Sequence, residues 1–96
     1  MTLIIRAGSD LIARYQSYLS GRRYAAGTID RLLGAARDLI DAYPAGIPLD
    51  EQALVERAEL EGGTASSQKS RRASARRFYE FLDHEIGRKS QRSESA

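Results

Sequence analysis

Five cations crowd into nine residues: Lys69, Arg71, Arg72, Arg76 and Arg77. Between them stand only Ser70, Ala73, Ser74 and Ala75. Arginine suits phosphate because its planar fork makes two hydrogen bonds at once. Small neighbours let a helix come close to a phosphate backbone or into a groove, and a helix has the width of the DNA major groove. Ser66, Ser67, Gln68, Lys69 and Ser70 open the segment. At a helix start, unpaired N–H groups and the helix dipole also favour phosphate. Phosphate contacts would carry affinity there, and Gln68, Lys69 or Arg72 would be the residues to reach base edges. The plain alternative for the same cluster is a solvated helix face.

Other chemistries find less material. His84 is the single histidine, with Glu80 one turn before it and Glu85 beside it, and no nucleophile is fixed near it. It reads as a surface histidine late in a helix. Glu56 and Glu59 form a pair of carboxylates on an acidic helix face, which does not suit glycosidase-type work. Gly62-Gly63 lacks the Gly-Lys-Ser/Thr that completes a phosphate loop. The absence of cysteine removes disulfides, thiolate chemistry and the best zinc ligands. Neither a cofactor, a metal nor an enzymatic activity of this chain is expected.

The basic cluster belongs to a stretch, Ser66 to Ile86, whose second half is aromatic and apolar. As one helix it spans about 30 Å, with Ala75, Phe78, Tyr79, Leu82 and Ile86 on or near one stripe. Arg71 with Ala75, and Arg72 with Arg76, are four apart and share rows. Three helices precede it. The first follows Ser9 or Asp10 as cap, carries Leu11, Ile12, Tyr15, Tyr18 and Leu19 at helical spacing, and ends at Gly21. A basic-aromatic joint follows, Arg22-Arg23-Tyr24. The second helix begins near Ala25 to Thr28 and buries Ile29, Leu32, Leu33, Ala36, Leu39, Ile40 and Tyr43, with Gly34 permitting close packing. Pro44 stops it, and Gly46-Ile47-Pro48 reads as a turn. Asp50 caps a third helix to about Glu61, with Leu54, Val55, Ala58 and Leu60 inward and Glu51, Glu56, Glu59 and Glu61 outward. Gly62-Gly63 ends it, and Thr64 or Ser66 caps the fourth. Tyr15, Tyr18, Tyr43 and Tyr79 fall at apolar positions and read as core, whereas Tyr24 is freer. No strand is expected. Residues 1–8 form a flexible or extended lead-in, 9–87 a four-helix domain and 88–96 a disordered polar tail.

Ninety-six residues make one domain with a modest core. Residues 1–63 carry seven arginines against nine acids, and residues 64–96 carry eight cations against four acids. The basic character therefore lies in the last third. No apolar run approaches a membrane span, and the Leu3-Ile4-Ile5 run is too short for a signal peptide. A soluble intracellular protein is expected.

In this setting the pattern resembles the N-terminal core-binding, or SAM-like, domain of tyrosine recombinases and phage integrases. Leu11 to Leu19 is similar to that domain's first helix. Ala25-Ala26-Gly27-Thr28-Ile29 through Tyr43 resembles its Ser-x-x-Thr-Ile entry and long second helix, and Ser66 through Leu82 resembles its fourth. The likeness covers roughly residues 9–87. It implies an all-α fold, a single orthogonal bundle of four helices. It implies binding to duplex recombination-site DNA through Arg22, Arg23, Thr28 and Arg31 around the second helix and Gln68, Lys69, Arg71, Arg72, Arg76 and Arg77 on the fourth. The implied partners are double-stranded DNA, a C-terminal catalytic domain or other recombinase protomers. The implied setting is the cytoplasm of a bacterium or archaeon, or a phage-encoded protein, at the nucleoid when DNA-bound.

The chain departs from the family in three ways. The family's catalytic Arg, His-x-x-Arg and tyrosine nucleophile are missing, so this chain is not expected to cleave DNA. Gln68 and Arg72 stand where the family often has apolar residues. The third helix is acidic, a poor DNA face that would suit a partner domain. The alternative function is a small helical protein-interaction or regulatory module that does not bind DNA.

Overall fold

A computed structural model describes residues 4–6, 10–60 and 64–95, with side chains as far as 86. Four helices are present among them: α1 (Leu11–Gly21), α2 (Ala26–Ala42), α3 (Glu51–Glu59) and α4 (Ala65–Ser95). Two short strands, β1 (Ile4–Ile5) and β2 (Ile47–Pro48), complete the order.

α4 sets the long dimension. Its 31 residues span about 46 Å, against a longest extent of 49 Å for the molecule. It packs along α3, α2 and α1, while α1 also meets α2 and α2 also meets α3. Short connections make sequential helices neighbours, as the sequence implies. The core centres on three rings that are fully buried, Tyr15, Phe78 and Phe81. Their centroids lie 5.3 Å (Tyr15–Phe78), 4.9 Å (Tyr15–Phe81) and 6.3 Å (Phe78–Phe81) apart, within the range of favourable ring pairs. Leu19, Leu32, Leu33, Ala36, Leu39, Leu54 and Leu82 surround them.

Local chemistry explains most boundaries. Asp50 caps α3 by accepting from the Ala53 N–H at 3.3 Å. Thr64 caps α4, its Oγ1 accepting from the Ser67 N–H at 3.2 Å. Pro44 follows directly on the α2 cap, Tyr43.

Several expectations need correction. Asp10 precedes α1 but makes no capping bond; its carboxylate pairs with Arg14 at 3.1 Å instead. Ser9 lies outside the described residues. Gly21 is the last residue of α1, as expected, and the left-handed conformation after it falls to Arg23, at φ 63°. A strand exists where a lead-in and a turn were expected: Ile4 pairs with Pro48 and Ile5 with Ile47, antiparallel. Ile47 is thereby fully buried. Pro48, which has no N–H, is tolerated on such an edge. Gly46 precedes the pair at φ 134°, and a Cβ there would collide with the Ile4 side chain.

Gly34 does not serve close packing, because a Cβ there would meet open space. Leu60 points outward, 73% exposed, because α3 ends at Glu59. Tyr24 is half-buried against the core rather than loose. Phe81, left off the expected stripe, is central to the core. α4 continues to Ser95, so residues 88–95, expected as a disordered tail, are helical. One interior Gly87 costs only about 1 kcal/mol relative to alanine, and the Arg and Lys that follow are good helix formers.

Candidate nucleic-acid interface

The ten residues singled out from the sequence do not share one face. They divide among three sides of α4, the joint between α1 and α2, and α2 itself, which carries Thr28 and Arg31.

The first side of α4 turns to α3. Arg72 meets Glu59 at 3.5 Å, and Arg76 meets Glu51 at 3.6 Å. The early α4 arginine meets the end of α3 and the later one its start, so the two helices run antiparallel. The acidic helix expected to face a partner domain thus faces the basic helix of its own chain. Arg72 is half-buried here, with Gln68 half-buried on the same flank, which accounts for two polar residues beside an otherwise apolar stripe.

The second side turns to the junction of α2, α3 and α4. Arg71 and Ala75 line a hollow of about 30 Å³ together with Ala35, Asp38, Leu39, Arg57 and Ala58. This volume holds about one water. Arg71 is therefore half-inside the bundle.

The third side is open. Lys69, Ala73 and Arg77 recur at every fourth residue and are all exposed, forming one outer row. Eight residues of helix separate the two cations by about 12 Å. Arg77 donates to Glu80 Oε2 at 3.1 Å, and its guanidinium lies 6.0 Å from the centre of the Tyr24 ring. The hydrogen bond to Glu80, followed by the charges around it, raises the Arg77 pKa further above its ordinary value.

The row ends at the joint between α1 and α2. Arg22 stacks over Tyr18 at 4.6 Å from the ring centre, inside the range of a cation–π contact. Tyr18 in turn packs on Phe81 and His84, each at 5.3 Å. Burial pushes the Tyr18 hydroxyl pKa up, Arg22 opposes that shift, and Arg77 does so more weakly. Arg22 thus meets Tyr18 and Arg77 meets Tyr24, and Arg23, between the two tyrosines in sequence, is exposed. Tyr24 meets Arg77, while Ala35 and Leu39 further along α2 meet Arg71 and Ala75. Those contacts span 11 or more residues on the α2 side but only a turn or two of α4, so α2 crosses α4 and does not run along it; on α2, Thr28 is half-buried and Arg31 exposed.

Beneath the joint lies Tyr15. Its hydroxyl is buried with no hydrogen-bond partner among the described residues. Burial drives its pKa far above the ordinary tyrosine value, with Tyr24 and Tyr18 adding to the shift.

The residues that hold the cations were not foreseen as a group. Tyr18 precedes Arg22 by four and Glu80 follows Arg77 by three, spacings that place each pair on one helix face. Glu51 and Glu59 gave no such local signal, since their partners are far along the chain. Among the described residues, no group of three or more His, Asp or Glu is placed to hold a metal, and no helix is long and apolar enough to cross a membrane.

Compared with known proteins, the chain matches no family model, no curated protein and no solved structure.

Proposed function

We propose that this chain is a duplex-DNA-binding domain of the core-binding, SAM-like type found in tyrosine recombinases, gripping DNA without cutting it. One observation carries the reading: the exposed row Lys69–Ala73–Arg77 leads into Arg22 and Arg23 at the joint. A helix, about 10–12 Å across with its side chains, fits the major groove, about 12 Å wide. The small Ala73 at the row's centre lets the helix approach. Arg22 and Arg77 are held against tyrosine rings, so less side-chain freedom is lost when they meet phosphate. Arg31 on α2 is also exposed, while Thr28 is half-buried. Arg77 gives up only its exposed pair with Glu80 of the same helix, whereas Arg72 and Arg76 are tied across to α3 and stand aside.

The reading is tested by titrating a labelled duplex with wild-type protein and with Arg22→Gln/Arg77→Gln. Two lost phosphate contacts are expected to weaken binding at least tenfold at low salt and to flatten the salt dependence by about 2 in logarithmic slope. Equal affinity of the two proteins removes this surface from the interface. A second reading, a helical protein-interaction module, is favoured by the exposed Leu60 at the end of α3. A stoichiometric protein complex with no binding to duplex would select it.

A further inference from the structure

We propose that α3 is a built-in competitor of the nucleic acid: Glu51 and Glu59 occupy Arg76 and Arg72 and thereby keep two phosphate-binding side chains out of the interface. This rests on the DNA-binding reading above.

Arg72 and Arg76 lie on one row of α4, one turn apart, and each is matched by a glutamate of α3 at 3.5 and 3.6 Å. Neither pair is sealed. The four side chains are between 40 and 59% exposed. Each such pair is worth little, but that is still a penalty any phosphate competing for the arginine must overcome, and both are reachable from solvent. Arg76 is exposed and immediately precedes Arg77, the last member of the open row. A duplex lying on Lys69, Ala73 and Arg77 thus passes beside Arg76 and the carboxylate that holds it. The glutamates act on it twice: they neutralise two arginines and they repel the backbone.

The test is a double-mutant cycle read by duplex titration across a salt series. Glu51→Gln/Glu59→Gln is expected to bind about tenfold more tightly at low salt, with a logarithmic salt slope steeper by about 2, as two arginines join the contacts. Arg72→Gln/Arg76→Gln is expected to change wild-type affinity by less than about twofold. The same arginine changes in the glutamine background should abolish the gain. Additive behaviour, with the arginine changes costing the wild type as much as they cost the glutamine variant, overturns the proposal while leaving DNA binding intact. An unchanged affinity of the glutamine variant does the same. Wild-type protein that fails to bind duplex even at low salt overturns the DNA reading and this inference with it. Circular dichroism checks that each variant is folded. Should the glutamine variant unfold, the arginine change in the wild type still decides: a loss of tenfold or more would show that these arginines already bind.

Discussion

Arg23 holds a backbone conformation that an arginine adopts at a cost. Its φ of 63° lies in the left-handed region, which costs an L-residue about 1–2 kcal/mol more than it costs glycine. The position closes α1. The Arg22 N–H donates to the Leu19 carbonyl at 3.0 Å and the Arg23 N–H to that of Ser20 at 3.2 Å, so the turn itself is well bonded and the penalty falls on the side chain. Arg23→Gly removes that penalty but frees the unfolded chain, which returns about 0.4–1 kcal/mol. The net expected gain is about 0.5–1 kcal/mol. In a domain of this size that raises Tm by about 3–6 °C. If the arginine is there for phosphate, the same change weakens duplex binding severalfold and flattens the logarithmic salt slope by about 0.9. Arg23→Lys keeps both the charge and the strain, so it should retain binding at an unchanged Tm. Thermal melts by far-UV circular dichroism and a duplex titration read both effects. A lower Tm for the glycine variant would refute the strain argument. A higher Tm with undiminished binding would refute the functional one.

Two further changes separate packing from polar cost. Tyr15→Phe removes a buried hydroxyl that has no partner among the described residues and keeps the ring. It is expected to stabilise the fold by about 1 kcal/mol in chemical denaturation, since an unsatisfied buried polar group costs about 1–3 kcal/mol; a loss of that size would mean the hydroxyl is hydrogen-bonded. The same hydroxyl sets an alkaline limit. Its folded pKa is raised above the unfolded value of about 10, so the folded state holds the proton longer and stability falls as pH climbs past that value. Tyr15→Phe should weaken this alkaline loss, and identical stability profiles above that pH would contradict it. Gly34→Ala adds a methyl into open space inside α2 and should gain about 0.8–1 kcal/mol from helix propensity; a lower Tm would mean that α2 packs more closely there.

The sequence disclosed what depends on local chemistry. The apolar rows of α2, its stop before Pro44 and the Asp50 cap of α3 all follow from residues within a turn or two of one another. Non-local pairing hid the rest. The β1–β2 ladder joins Ile5 to Ile47, and neither run is long enough to announce a strand. Phe81 escaped the expected stripe because α4 is covered by three helices, which widens its buried arc beyond a single row. The largest revision concerns the basic cluster. Five cations that look alike in sequence have three different surroundings. Arg72 and Arg76 answer the acids of α3, and Arg71 enters the bundle. Lys69 and Arg77 remain on the open row. Charge along the sequence reported how many cations there are, while the antiparallel packing of α3 on α4 decides which of them are paired across helices.

The central claim concerns that open row and the joint beside it. Its most direct test is the affinity of the wild-type chain for duplex DNA over salt concentrations from about 50 to 200 mM. With Lys69, Arg77, Arg22 and Arg23 facing the backbone, the logarithmic slope is expected to be roughly −3 to −4. A slope near zero, or no binding at the lowest salt, would contradict it.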